Sequence, residues 1–256
     1  MTPYPTRPRG SGVVAAMIVI GAALAGTGVA CAEDASPAGK LKIATTAYIW
    51  GSGLHGQQGL FGLPTTDVDV GFSDIFDKVD LAAAGIVTVQ GEKLGFLGEL
   101  NYVKLSAGAR ASGGVLSGNM DSKAFFALAA VTYRVADEDW GTVDAIGGLK
   151  YFRFDNAVTL SPGPLSASDA QSWTDVTVGA KAAIPLSPRW TLQTWAMVGG
   201  GGSDLSWDVL AAFDYRINDK WSAAVGYRAM GVDYASGGFT YDMTQSGPII
   251  GVTARF

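Results

Sequence analysis

Apolar and polar residues alternate along most of the chain from Leu41 onward. Between residues 205 and 216, Trp207, Val209 and Phe213 fall on odd positions, and Asp208 and Asp214 fall on even positions. Successive side chains of a β-strand point to opposite faces of the sheet, so this pattern predicts one apolar and one polar face. An apolar outer face and a polar inner face are typical of strands in a membrane barrel.

Ten segments follow this pattern and are separated by turns or loops. Four connections are short, whereas those near 55–79, 109–122, 157–171 and 235–245 are long. The connection 201–204 is the exception, because it is short although it lies at the same end as the long ones. This asymmetry is typical of outer-membrane barrels, with tight periplasmic turns and longer extracellular loops. We therefore predict an all-β, antiparallel, up-and-down transmembrane barrel, with eight strands as the alternative. The ten predicted strands are 41–54, 80–90, 94–108, 123–135, 141–156, 172–185, 190–200, 205–216, 221–234 and 246–256.

Aromatic residues collect at the ends of these segments, which favours a membrane barrel over a soluble sandwich. Trp190, Trp207 and Trp221 begin strands, and Tyr133 and Tyr215 end them. Trp and Tyr concentrate at both interfaces of a membrane. The sheet must also close, because an open edge in lipid would leave backbone groups unpaired.

The first 32 residues predict a secretory leader followed by a barrel at 33–256. Arg7 and Arg9 precede an apolar core, and Ala30-Cys31-Ala32 fits a small-x-small cleavage site. The alternative is a lipoprotein in which Cys31 carries the lipid. Either reading exports the chain and predicts a location in the cell outer membrane.

Composition excludes several classes of function. The chain has 256 residues with a formal net charge of −5, one His and one Cys. The acidic excess argues against a nucleic-acid partner, and the scarcity of His and Cys argues against a zinc site or a disulfide framework. We expect no metal, no cofactor and no enzymatic activity.

Four stretches of the chain carry a resemblance to known sequences: DVDVGFSDIF (67–76), SWTDVTVGAK (172–181), WDVLAAFDYRINDKWSAAVGYR (207–228) and GPIIGVTARF (247–256). They resemble a family of largely uncharacterised proteobacterial outer-membrane β-barrel proteins, loosely grouped with opacity-type surface antigens. The resemblance implies a barrel inserted by the barrel-assembly machinery, with Phe256 as the assembly signal on the last strand. It implies no substrate and no catalytic residues.

The predicted inward positions carry charges of both signs. Isolated charges in a narrow barrel are costly, so these groups must pair or be hydrated. We favour a salt-bridged plug and a structural or surface-interaction role over a narrow channel or ligand-binding barrel. The set is Glu99, Arg134, Asp144, Lys150, Asp175, Lys181, Asp208, Asp214, Arg216, Arg228 and Arg255.

The spacing of these charges predicts specific partners. Asp144 and Lys150 are six residues apart on one strand, and Asp175 and Lys181 repeat the spacing on the next. Because neighbouring strands run antiparallel, we expect the pairs Asp175–Lys150 and Asp144–Lys181. Arg228 and Arg255 are expected to pair with Asp208 and Asp214.

The first long loop holds acidic residues and an apolar stripe. Its carboxylates could bind a divalent cation, but no EF-hand spacing is present and a solvated acidic loop is the simpler interpretation. Phe72, Ile75, Phe76 and Val79 recur at i, i+3, i+4 and i+7, which predicts a helix over 72–79. Its apolar stripe must be buried either in the barrel mouth or on the lipid surface, and we expect it to cover the mouth. The acidic residues are Asp67, Asp69, Asp74, Asp77 and Asp80.

Two further sets of residues are candidates for surface chemistry. His55 lies at the outer end of the first strand, where a lipid or peptide hydrolase would need a base, but no acid is adjacent in sequence. A bystander His is the simpler interpretation. Basic residues near the outer strand ends could bind lipopolysaccharide phosphates by charge pairing, or simply reach into the interface. These are Lys104, Arg110, Lys123 and Arg153.

Overall fold

The computed structural model describes residues 41–76, 78–110, 117–161, 163 and 165–256. The predicted leader at 1–32, Cys31 and Asp77 lie outside these residues, as do the side chains of Phe76 and Arg110. The described chain forms twelve strands and one short helix. The elements are β1 (Lys42–Trp50), β2 (Gly53–Gly59), β3 (Thr66–Val70), α1 (Phe72–Phe76), β4 (Val79–Gln90), β5 (Leu94–Arg110), β6 (Ser117–Glu138), β7 (Gly141–Ser161), β8 (Leu165–Pro185), β9 (Trp190–Gly200), β10 (Leu205–Arg216), β11 (Trp221–Ser236) and β12 (Phe239–Arg255).

These strands close into one antiparallel barrel. The order runs from β1 through β4 to β12, and β12 pairs with β1 to complete the wall. β2 continues β1 along β12, so β1 and β2 together form one strand of the wall. β3 pairs with β2 and lies above β4, so β3 and β4 together form the next strand. The twelve strands therefore make a ten-stranded wall. The prediction of a ten-stranded antiparallel barrel is confirmed, and the eight-stranded alternative is wrong.

The barrel has two unlike ends. The turn end carries the short connections 91–93, 139–140, 186–189 and 217–220, together with the first residue of β1 and the last of β12. The loop end is opposite, and there the strands differ in height. β8 begins at Leu165, but its pairing with β9 starts only at Val176, so the β9–β10 connection sits low in the wall.

The predicted long loops at 109–122, 157–171 and 235–245 are largely strand. β5 and β6 pair out to Arg110 and Ser117, and β7 and β8 pair out to Leu160 and Leu165. The alternation used for prediction fades here because beyond the membrane the outward face is polar as well. Backbone pairing continues without the lipid-facing apolar signal.

The connection between β11 and β12 is a two-residue turn. Gly237 and Gly238 have φ angles of 59° and 85°, and Ser236 pairs with Phe239 across them. A tight hairpin needs positive φ at both central positions, which Gly adopts without a steric penalty. The glycine pair therefore allows these strands to extend to the loop end.

α1 is shorter than predicted and lies in a different place. It ends at Phe76, and Val79 already begins β4. The ring of Phe72 lies 3.3 Å from where a Cβ on Gly51 would stand. Gly51 lies on the same outward face as the exposed Ile49, so Phe72 packs on the outer wall and does not cover the mouth. A single turn also cannot present the full stripe to one surface.

Within the described residues, no helix has the length and apolar character needed to span a membrane.

Candidate functional site

The interior and exterior of the barrel follow the alternation read from the sequence. On β10, Val209 and Phe213 are exposed by 42% and 48%, whereas Leu210 and Ala212 are buried. β11 and β12 repeat this contrast, with Val225 and Ile250 exposed on the outer face. In this part of the wall the outward residues are apolar, and the buried Asp208 and Asp214 face inward, so the interior is the first candidate for a functional site.

A buried ionic network crosses the middle of the interior. Arg228 on β11 is 0% exposed and donates through Nη2 to Glu99 Oε2 on β5 at 3.0 Å and to Asp208 Oδ2 on β10 at 2.6 Å. The Tyr48 hydroxyl on β1 donates to Glu99 and accepts a bond from Arg228 Nη1 at 3.0 Å. We call Tyr48, Glu99, Lys150, Asp208 and Arg228 the central network. Because it joins opposite walls, it fills the lumen at this level.

Lys150 and two aromatic rings complete this layer. Lys150 Nζ lies 2.7 Å from Asp208 Oδ2, and the Trp195 indole donates to Asp208 Oδ1 at 3.0 Å. The Arg228 guanidinium lies 5.0 Å from the ring centre of Trp50 and 5.1 Å from that of Trp195. Two cations therefore meet two carboxylates, and the rings exclude water around them.

The predicted pair Asp175–Lys150 does not form. The two residues are directly opposite in the β7–β8 register, but Lys150 reaches across the lumen to Asp208. Asp175 is 0% exposed and accepts bonds from the backbone N–H groups of Gly202 and Ser203 and from the Ser203 hydroxyl. It anchors the low β9–β10 connection, whose backbone donors supply what Lys150 was expected to supply.

The other expected pairs are present near the turn end. Lys181 Nζ lies 3.2 Å from Asp144 Oδ2, and Arg134 also donates to Asp144. On the opposite wall, Arg255 Nη2 donates to Asp214 Oδ2 at 2.8 Å. Asp214 also accepts a bond from the Ser222 hydroxyl at 2.6 Å. These groups form a second polar layer below the central network.

Arg216 does not join either layer. It follows Asp214 on the inward face of β10, but it is the last residue of that strand and is exposed. Among the described residues it has no ion pair. Its position at the rim, and not its orientation, separates it from the other inward charges.

Aromatic packing fills the interior toward the loop end. Trp173 on β8 stacks on Tyr234 of β11 with ring centres 3.8 Å apart, and Phe154 lies 4.4 Å from Tyr241. Phe152 and Phe239 are 0% and 1% exposed. The aromatic cluster comprises Phe126, Phe152, Phe154, Trp173, Met230, Val232, Tyr234, Phe239, Tyr241 and Met243.

This cluster was missed at the sequence level. One predicted strand ends at Tyr234 and another begins at 172, so the sequence-based prediction puts Trp173 and Tyr234 at strand ends. The signal was present: Phe152 and Phe154 share the inward parity of Lys150 on one strand, as Tyr234 shares that of Arg228. Inward apolar residues oppose the rule that a membrane barrel has a polar interior.

The basic residues proposed to contact lipopolysaccharide lie on the outward face near the loop end, except that the Arg110 side chain is not described. Lys104 pairs with Asp80 at 3.0 Å and Arg153 with Asp155 at 2.8 Å. Bonds from Ser106 and Lys104 lower the pKa of Asp80, and Asp80 raises the pKa of Lys104. Lys123 is exposed and stands opposite Lys104 in the β5–β6 register, without an ion pair among the described residues.

The structure corrects the sequence-level view of His55. Asp69 on β3 stands opposite His55 on β2, and its Oδ1 lies 2.7 Å from His55 Nδ1. The acid that is absent from the neighbouring sequence thus comes from the next strand. Both side chains face outward and are exposed by 54% and 84%.

Phe256 lies beside the first strand at the turn end. Its backbone N–H donates to the carbonyl of Ile43 at 2.9 Å, and the Lys220 ammonium lies 5.4 Å from its ring centre. Its side chain is 69% exposed. In the part of the chain that the structure describes, no three His, Cys, Asp or Glu side chains form a group that could hold a metal ion.

Comparison with known proteins identifies the fold. No known protein family and no curated protein sequence matches the chain. Among solved structures, the outer membrane protease OmpT from Escherichia coli matches with a TM-score of 0.54 and 8% identity, over 88% of this chain and 99% of that one. Ail, the attachment invasion locus protein of Yersinia pestis, matches with a TM-score of 0.36 and 10% identity, over 85% and 99%. The match to OmpT shows that the chain has the fold of an outer-membrane β-barrel.

Proposed function

We propose that this protein is an integral outer-membrane barrel with a structural or surface-interaction role and a closed lumen. The observation that carries the proposal is the position of Arg228, which bridges Glu99 and Asp208 from opposite sides of the interior. The aromatic cluster lies above this layer and the polar pairs lie below it. A solute would have to displace all three.

The ionic groups favour a plug over a selective channel. A conducting pore keeps its charges hydrated so that ions can exchange with them, whereas Arg228, Asp208 and Glu99 are each at most 2% exposed. The hydrogen-bonding groups of these residues bond to one another. We propose that the interior serves stability and carries no catalysis.

Orientation follows from the two ends. We propose that the turn end faces the periplasm and the loop end faces outward, with the residue 1–32 leader directing export. The tall strands β5 to β8 would then project from the cell surface, where a surface-interaction role would be carried out. Cysteine substitution of the exposed Leu165, followed by labelling of intact cells with a membrane-impermeant maleimide, tests this orientation. An unlabelled Leu165→Cys variant that is folded in the membrane would contradict it.

We propose two partners for the wall. Lys104, Lys123 and Arg153 would contact lipopolysaccharide phosphates, with Lys123 the best placed because it lacks a carboxylate partner within the described chain. Phe256, next to the closing β1–β12 seam, would be read by the barrel-assembly machinery. Deleting Phe256 should lower the folded yield measured by heat-modifiable gel mobility, while Leu165→Ala on a projecting strand should not.

Solute uptake by proteoliposomes tests the closed lumen. Vesicles carrying the protein should not swell in iso-osmotic arabinose faster than empty vesicles, while a general porin in parallel vesicles should give rapid swelling. Swelling that rises with the amount of folded protein would contradict the proposal and favour the alternative of a small passive channel.

A further inference from the structure

The outer wall carries a second polar arrangement, separate from the lumen. Asp69, His55 and Ser246 lie on the neighbouring strands β3, β2 and β12. His55 uses Nδ1 to bind Asp69, which leaves Nε2 available as a base or acid. The carboxylate fixes the orientation of the ring, as an acid does for the His of a hydrolytic triad.

Gly53 is closely packed beside Nε2. It precedes His55 by two residues and shares its outward face, and a Cβ there would lie 3.0 Å from the Val70 carbonyl oxygen and 3.6 Å from His55 Nε2. The histidine ring thus leans over this glycine. Ser246 stands directly opposite Gly53 in the β2–β12 register, where paired Cα atoms are about 4.5–5.5 Å apart. The imidazole edge and Ser246 therefore lie next to the same glycine, on neighbouring strands.

A hydrogen-bond donor lies on the other side of Ser246. The Tyr227 hydroxyl on β11 is 3.3 Å from Ser246 Oγ. A phenol at this distance from a nucleophile can also donate to the oxyanion that forms when the nucleophile attacks a carbonyl. Acid, base, nucleophile and donor are thus arranged across four neighbouring strands.

The position of the arrangement indicates its substrate. On β12 the outward residues on the turn-end side of Ser246 include Ile250, which is 62% exposed, and those toward the loop end include the exposed Asp242. Ser246 therefore sits where the apolar outer face gives way to a polar one. The ester bonds of membrane lipids lie at this depth, between acyl chains and headgroups.

We propose that Ser246, His55 and Asp69 hydrolyse carboxylic esters of lipids at the membrane interface. Ser246 Oγ attacks the ester carbonyl while His55 Nε2 accepts the hydroxyl proton, and Tyr227 donates to the oxyanion. Collapse breaks the ester C–O bond, and the leaving alcohol takes the proton from His55. A water molecule then attacks the acyl-serine with the same base, which releases the fatty acid and restores Ser246.

This inference departs from the expectation of a non-enzymatic barrel because the structure supplies the acid that the sequence beside His55 lacks. It does not depend on whether the lumen conducts. Asp69 acts through His55 and is a positioning residue, whereas His55 and Ser246 would be catalytic residues.

Covalent labelling tests the nucleophile directly. The folded protein in detergent is treated with a long-chain alkyl fluorophosphonate, and the adduct is located by mass spectrometry. We expect one adduct on Ser246, none in Ser246→Ala, and labelling slowed about 10²-fold or more in His55→Ala. Thr244→Ala is the matched control, because Thr244 is the hydroxyl residue directly opposite His55 in the register. It should label as fast as wild type.

Turnover of p-nitrophenyl palmitate in micelles tests the rest of the proposal. Asp69→Asn should lower kcat strongly and Asp69→Glu should restore part of it, since only a carboxylate can hold the imidazole. Heat-modifiable mobility confirms that each variant is folded. An unlabelled wild-type protein, or equal labelling in Ser246→Ala, would overturn the proposal.

Discussion

The two halves of the barrel interior are filled by different chemistry. In the middle, the ion pairs Arg228–Glu99 and Lys150–Asp208 cross the lumen between distant strands, and toward the turn end Lys181–Asp144 joins neighbouring strands. Toward the loop end, the rings of Trp173 and Tyr234 stack with ring centres 3.8 Å apart. One half is closed by directional bonds between charges, and the other by apolar packing.

The difference follows from what surrounds each half. Inside the membrane the outer face must be apolar, so the inner face holds the polar groups, and they must satisfy one another. Beyond the membrane the outer face can be polar, as the exposed pair Arg153–Asp155 shows. The inner face there is free to form an ordinary apolar core. The interior at the loop end is thus packed like the core of a soluble β protein.

The largest effect is expected from breaking the central network. Arg228→Ala leaves Glu99 and Asp208 buried without their shared cation, and removing one partner of a buried ion pair costs about 3–5 kcal/mol. The whole barrel should unfold at a lower temperature in detergent, as measured by heat-modifiable gel mobility. The control Arg216→Ala removes an exposed arginine from the neighbouring strand β10 and should change the unfolding temperature little. Equal unfolding midpoints for the two variants would contradict a stabilising role for the central network.

A more local effect is expected in the aromatic half. Trp173→Ala deletes a ring that stacks on Phe152 and Tyr234, and truncating a buried aromatic costs about 3–5 kcal/mol. Because this loss falls outside the membrane, it should loosen the projecting strands and leave the membrane part folded. Limited proteolysis should then cleave near the loop end while heat-modifiable mobility persists.

Trp140→Ala is the control for that experiment, because Trp140 is 53% exposed at a turn-end connection. It should leave the projecting strands as resistant to protease as they are in wild type. A Trp173→Ala variant whose loop end stays resistant would show that the aromatic cluster does not hold these strands together.

The smallest effect is expected at the rim of the ionic half. Lys181→Ala removes a lysine that is 23% exposed, and Asp144 retains Arg134 as a partner. The loss should therefore be about 1 kcal/mol or less, close to the value of a surface pair. Lys150→Ala removes a lysine that is 3% exposed and should cost clearly more in the same thermal assay. A Lys181→Ala effect equal to that of Lys150→Ala would contradict the ranking by burial.

The sequence predicts the barrel better than its interior contacts. Alternation at positions such as Val209 and Asp208 reports which face each side chain takes, because that depends only on strand geometry. It predicts the Asp144–Lys181 pair, since those residues are neighbours in register. It cannot predict Lys150–Asp208, because contact across a lumen depends on the barrel's diameter and tilt.

The outer-wall arrangement shows the same limit. Asp69 is 14 positions after His55 and Ser246 is near the end of the chain, so no local motif joins them. Only the continuation of β1 into β2, and the pairing of β2 with both β3 and β12, brings them together. The predicted first strand runs through Gly51 and Gly53 but ends at 54, so it leaves out most of β2.

Single-channel recording in planar bilayers tests the closed interior most directly. The folded wild-type protein is inserted at low salt and the KCl concentration is then raised on both sides. We expect no steady conductance steps at any salt concentration, because the central network and the aromatic cluster both fill the lumen. Steady steps whose size rises in proportion to KCl concentration would show a continuous water path past Arg228 and would contradict this expectation.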